Sequence, residues 1–133
     1  MEDEIRITIK SDEDVLNARQ KGRALAARLG FSSVDLTLIV TAISEIARNT
    51  ASYAQQGEMV LRLVPQGPKK GIIIITCDQG PGIPDLDSAM QDGYSTSGSL
   101  GLGLPGAKRL MDDFEIVSAV GKGTCVTMKK WVR

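Results

Sequence analysis

The stretch GIIIITCDQGPGIP, residues 71 to 84, constrains the fold more than any other part of the chain. Four consecutive isoleucines leave no polar face, so the run reads as a strand near the middle of a sheet rather than at its edge. It stops at Asp78 and gives way to Gly80 and Gly82, each beside a proline. A buried strand whose mouth carries a carboxylate and two residues without side chains is either a strand-to-loop turn or one wall of a binding site. The segments around it decide between the two.

MVLRLV, residues 59 to 64, precedes the isoleucine run across PQGPKK, whose prolines and glycine suit a turn, so the two strands form an antiparallel hairpin. FEIVSAV and TCVTMKKWV, joined by GKG, form a second hairpin at the end of the chain. EIRITIK, residues 4 to 10, alternates as a half-buried strand. Between these lie two helices. The first has Ser11, Asp12 and Asp14 as capping groups, an apolar series of Val15, Ala18, Gly22, Leu25, Ala26 and Leu29, and Gly30 at its end. The second is longer, carries Leu36, Ile39, Val40, Ile43, Ala47 and Thr50 on one stripe, and stops near Gly57. A shorter helix follows around Leu104, Ala107, Leu110 and Met111. The expected class is α+β, a two-layer sandwich of a mixed, mostly antiparallel sheet with helices on one face.

At 133 residues the chain is expected to be one domain, residues 1 to 133. Sixteen basic and sixteen acidic residues leave no net charge to attract nucleic acid or an anionic membrane. Neither a signal core nor a membrane-spanning run is present, so the expectation is a soluble cytoplasmic protein. Histidine is absent, which removes imidazole catalysis, imidazole metal ligands and a phosphohistidine donor. Cys77 and Cys125 lie inside apolar runs without metal-ligand spacing and read as small buried hydrophobes rather than a disulfide.

Four polar constellations remain. Asp78 could accept from the exocyclic amine of adenine, whereas guanine would present it with a carbonyl oxygen; Gly80 and Gly82 would let backbone approach the ring. In SEIARN, Glu45 and Asn49 are four apart and share a helix face away from the apolar stripe. The Asn49 amide oxygen suits Mg²⁺, and Glu45 suits a general base; a solvated polar face would carry the same letters. GLGLPG, residues 101 to 106, spells the dinucleotide pattern, but it follows a loop rather than a strand and has no downstream acid, so what survives is a glycine-rich phosphate loop opening a helix, or a plain helix start. GKGT, residues 121 to 124, would need glycine at position 116 to be a Walker loop, and Ile116 stands there; it is a hairpin turn that can place Thr124 beside a pocket. The Gly- and Ser-rich stretch between the glycine motifs is long enough to be a functional lid.

E-x-x-x-N on a helix, D-x-G-x-G after a strand, G-x-G ending a loop and G-x-G-T in a late hairpin occur here in the order of the N, G1, G2 and G3 boxes, and the chain thereby resembles the GHKL ATPase superfamily. TAISEIARN, DQGPGIPD, YSTSGSLGLGLPGAKRLMDDF and the terminal KW-x-R make it look most like the RsbT-type switch kinases, serine-protein kinases of bacterial stress signalling related to anti-sigma factor kinases. The resemblance implies ATP and Mg²⁺ as cofactors, Asn49 as metal ligand, Glu45 as base and Asp78 as adenine selector. It implies Gly80 and Gly82 as adenine wall, Gly101, Leu102 and Gly103 at the phosphates, Thr124 beside the purine, and a lid over residues 83 to 100. Tyr53 or its neighbours stand where several superfamily members have a histidine. The implied partners are STAS-domain proteins of the stressosome scaffold, as phosphorylation substrates, and a metal-dependent serine phosphatase that the released kinase activates. A non-catalytic reading, an ATP-dependent partner-binding module, is the alternative. A histidine kinase fragment fits less well, because no phosphoacceptor histidine or helical hairpin lies upstream.

Overall fold

The computed structural model describes residues 3–53, 56–80 and 103–133. In chain order the described elements are β1 (Glu4–Ile9), α1 (Asp12–Ala27), α2 (Ser33–Tyr53), β2 (Gly57–Val64), β3 (Gly71–Asp78), α3 (Gly103–Leu110), β4 (Asp113–Ala119) and β5 (Gly123–Trp131). The strands form one sheet in the order β1-β2-β3-β5-β4, which puts the isoleucine strand at its centre. Every pairing is antiparallel. Both expected hairpins are present, with Leu63 opposite Ile72 in one and Val117 opposite Cys125 in the other.

Strand alternation sorts the side chains into two layers. Ile7 and Ile9, Met59 and Leu61, Ile72 and Ile74, and Val126 and Met128 are buried on the face that meets the helices. Ala18, Leu25 and Ala26 of α1, Ile39, Ile43 and Ala47 of α2, and Leu104 and Ala107 of α3 complete the core. On the other face Ile73 and Ile75 are half-buried. The two-layer architecture expected from the sequence is the one observed. No helix among the described residues is long and apolar enough to cross a membrane.

Local chemistry explains where the helices begin. Ser11 is the N-cap of α1 in extended conformation, but its side chain makes no capping bond. Asp14 reaches back instead and accepts from the Lys10 N–H at 2.8 Å, and the acids of the first turn face the positive end of the helix dipole. At α2 the Ser32 hydroxyl accepts from the Asp35 N–H at 3.1 Å, an ordinary N-cap.

The cysteines require a correction. Cys77 and Cys125 face each other across β3 and β5 and are joined in a disulfide, with Cα atoms 4.1 Å apart. Each sits in an apolar run, yet the period of two turns both side chains to the uncovered face, where Cys125 is exposed and Cys77 half-buried. They are therefore neither core fillers nor free thiols in this structure.

Candidate functional site

Two polar clusters lie where the helical layer meets the ends of β3 and β5. The first is built on Asp78, the last residue of β3. Its Oδ1 accepts from the Gly80 N–H at 2.9 Å and from the Thr124 N–H at 3.2 Å. Thr124 is buried, and its hydroxyl lies 2.8 Å from the hydroxyl of Ser118 on β4. Three strands thus fix the carboxylate, and among the described residues its Oδ2 accepts no hydrogen bond. That oxygen is the one suited to an incoming amine. Gly123, at φ +94°, makes the approach possible: a Cβ there would lie 2.1 Å from the Asp78 carbonyl oxygen. Two residues before Asp78 on the same face, the buried Thr76 hydroxyl has no partner among the described residues, a polar atom on the covered side of the sheet.

The second cluster is built on α2. Glu45 stands on the helix face expected to lie away from the apolar stripe, yet it is only 7% exposed, close to its neighbour Ser44 at 6%. The reason is that α3 packs against α2 and brings its first residue onto this face. Burial of a carboxylate demands partners. Oε1 accepts from Arg48 at 2.9 Å, and Oε2 accepts from the Gly103 N–H at 3.0 Å. Gly103 opens α3 with φ +50°, which aims the first free amide of the helix at the carboxylate. This amide is an anion-binding donor at a helix N-terminus, and Glu45 holds it.

Asn49 is half-buried one turn beyond Glu45. The adjacent Thr50 packs on the sheet: a methyl group placed on Gly57 would lie 2.6 Å from Thr50 Cγ2 and 3.1 Å from Asp78 Cβ. The turn of α2 that carries Asn49 therefore lies over the strand ends that carry Asp78. Among the described residues there is no cluster of three or more His, Cys, Asp or Glu side chains that could hold a metal by protein ligands alone. A lone amide oxygen fits Mg²⁺ bound mainly by phosphate oxygens and water, because that ion keeps several waters and takes few protein ligands.

Asp78, Gly80 and Thr124 are thus brought together, as are Glu45 and Gly103. Gly82, Gly101 and Leu102, and the lid over 83 to 100, lie outside the described residues. Arg48 and Ser118 were missed in the sequence. Arg48 stands three residues after Glu45, a spacing that places the two side chains side by side on a helix, whereas the Ser118–Thr124 pair needs the register of β4 and β5 to be known.

The chain matches the histidine kinase-like ATPase domain over residues 9–130. It is 50% identical over its whole length to serine/threonine-protein kinase RsbT of Bacillus subtilis (strain 168), all of which is covered. It is 32% identical to the anti-sigma F factor of Thermoanaerobacter sp. (strain X514), over 86% of this chain and 83% of that protein. Among solved structures, the RsbU and RsbW domains of Rv1364c from Mycobacterium tuberculosis superpose with a TM-score of 0.68 at 20% identity, over 98% of this chain and 33% of that one. The mycobacterial sensor histidine kinase MprB superposes with a TM-score of 0.58 at 17% identity, over 97% of this chain and 99% of that one. These two likenesses concern the fold. Family match, full-length identity and fold agree: the chain belongs to the histidine kinase-like ATPase domain family, as an RsbT-type serine/threonine-protein kinase.

Proposed function

We propose that the chain transfers a phosphoryl group from Mg·ATP to a serine or threonine hydroxyl on STAS-domain proteins of a bacterial stress-signalling scaffold, the stressosome, and that the released kinase binds and activates a metal-dependent serine phosphatase. The observation that carries the chemical part is the Glu45 carboxylate held against the first amide of α3, one turn from Asn49. Glu45 and Asn49 on α2 and the Gly103 amide at the start of α3 are, in this reading, the base, the metal ligand and a phosphate-binding N–H. Asp78 is the adenine selector, fixed through Oδ1 so that Oδ2 faces the exocyclic amine. Thr124 stands beside the purine, with Gly80 and Gly82 as the wall. Gly101, Leu102 and Gly103 meet the phosphates, and residues 83 to 100 close over them. ATP supplies the phosphoryl group, and Mg²⁺ held through Asn49 neutralises charge on it.

In this reading Glu45 accepts the proton of the attacking hydroxyl. It does so once the phosphates have taken over the Gly103 amide, which leaves Oε2 free to face the attacking hydroxyl. The protein's contribution is otherwise positioning, as is general for phosphoryl transfer. The cytoplasm is the compartment such partners imply.

The likeness to anti-sigma F factors favours a second reading, in which nucleotide only shapes a partner-binding surface. Incubation with γ-labelled ATP, Mg²⁺ and a STAS-domain protein separates the two. Label on a serine or threonine of that protein supports transfer; a nucleotide-dependent complex without label supports the binding module.

A further inference from the structure

We propose that Cys77 and Cys125 form a thiol-modification site, opened and closed by exchange with low-molecular-weight thiols, and that its redox state sets how tightly the chain holds nucleotide. The second half rests on the ATP-binding reading above; the first does not.

The argument begins with strand alternation. Cys77 and Cys125 point to the uncovered face of the sheet, so Asp78 and Thr124, their immediate neighbours, point to the covered face. The disulfide on the back of the sheet therefore joins the immediate neighbours of the two residues that share the bond between Thr124 N–H and Asp78 Oδ1 on the front. Cys77 opposite Cys125 is also the last registered pair of the β3–β5 ladder. A ladder frays at its end, and here the end carries the adenine selector. Closure of the disulfide removes that freedom, as a cross-link restricts the open ensemble. Gly123 adds sensitivity, because its main chain lies against the Asp78 carbonyl with no room for displacement inward.

The site is within reach of small thiols. Cys125 is exposed, and Cys77 lines a cleft of about 510 Å³ with Thr8, Gln56, Glu58 and Gln79. Thiolate attack on Sγ of Cys125 breaks the S–S bond, expels Cys77 as thiolate and leaves a mixed disulfide. A second thiolate attacks the small-molecule sulfur of that intermediate, releasing Cys125 and a small-molecule disulfide. In sum, two external thiols are oxidised to one disulfide while the protein disulfide is reduced to two thiols; the reverse reaction, driven by a small-molecule disulfide, closes it.

The test compares the full chain after treatment with oxidised glutathione and after reduction with dithiothreitol, each exchanged into thiol-free, oxygen-free buffer, the state verified by intact mass. Mg·ATP affinity is read by calorimetry and the Thr124 amide by hydrogen exchange. Reduction is expected to weaken ATP roughly fivefold, the worth of one net hydrogen bond, and to speed exchange at Thr124. Cys125→Ala is expected to bind like the reduced chain and to ignore dithiothreitol. Failure of oxidised glutathione to close the pair, equal affinities in both states, or a Cys125→Ala variant that still responds to reductant would each overturn the proposal. Absence of ATP binding in both states, with the difference in exchange preserved, would instead reject the nucleotide reading and its coupling, leaving the thiol site.

Discussion

The main-chain N–H of Gly103 donates to Oε2 of Glu45 at 3.0 Å, so the helix end that is built to meet an anion already holds one, supplied by α2. The two residues are 58 apart in sequence and come together because α3 packs along α2. In the proposed mechanism the same carboxylate later takes a proton.

Glu45→Gln separates these duties. Glutamine keeps an oxygen for the Gly103 amide but cannot serve as base. Transfer to a protein hydroxyl should fall by roughly 10²- to 10⁴-fold, the usual worth of a general base, while Mg·ATP affinity stays within a few-fold. Single-turnover transfer and calorimetry read the two; undiminished transfer would remove the base assignment.

Asp78→Asn tests the purine contact. Asparagine can preserve the oxygen that accepts from Gly80 and Thr124, so the fold should stand. Its amide NH₂ then meets the amine of adenine, donor against donor. ATP affinity should drop by roughly 10- to 100-fold, in line with loss of a hydrogen bond to a charged group, and the preference for ATP over GTP should shrink with it. A variant that keeps both would show that Asp78 holds the strand end and nothing more.

Gly123→Ala addresses the frame behind that contact. The new Cβ would meet the Asp78 carbonyl oxygen at 2.1 Å, at a φ of +94° that side chains disfavour, and the obstruction is backbone. The positive φ alone should cost about 1–3 kcal/mol, read as a lower urea midpoint with unchanged slope. Nucleotide affinity should fall as well, since Asp78 must move.

Lys130→Met concerns the far end of α3. The buried Lys130 ammonium donates to the Leu110 carbonyl at 2.9 Å and lies 3.8 Å from Asp112. Methionine fills the space but leaves the last carbonyls of the helix without that donor. A loss of about 1–3 kcal/mol is expected on thermal or urea unfolding. A still more stable protein would mean that burying the ammonium costs more than its bonds return.

Much of this arrangement is legible in the sequence, and the parts that are not have physical reasons. The isoleucine run could only be central, and both hairpins follow from turn residues between strand-like segments. Glu45 and Asn49 could be placed on one helical face by spacing alone. What covers that face could not be inferred, because the packing of α3 on α2 is a tertiary fact, and so the burial of Glu45 was not anticipated. Cys77 and Cys125 look apolar in a one-dimensional reading; only the β3–β5 register sets them opposite each other, and only the period of two turns them outward. Arg48, three residues after Glu45, was open to the same spacing argument that paired Glu45 with Asn49.

The most direct test of the central claim is a calorimetric titration of the oxidised chain with Mg·ATP, set against Mg·GTP under identical conditions. The account predicts saturable binding of one ATP per chain and markedly weaker binding of GTP. Absence of heat with ATP on folded protein, or equal affinity for the two nucleotides, would contradict it.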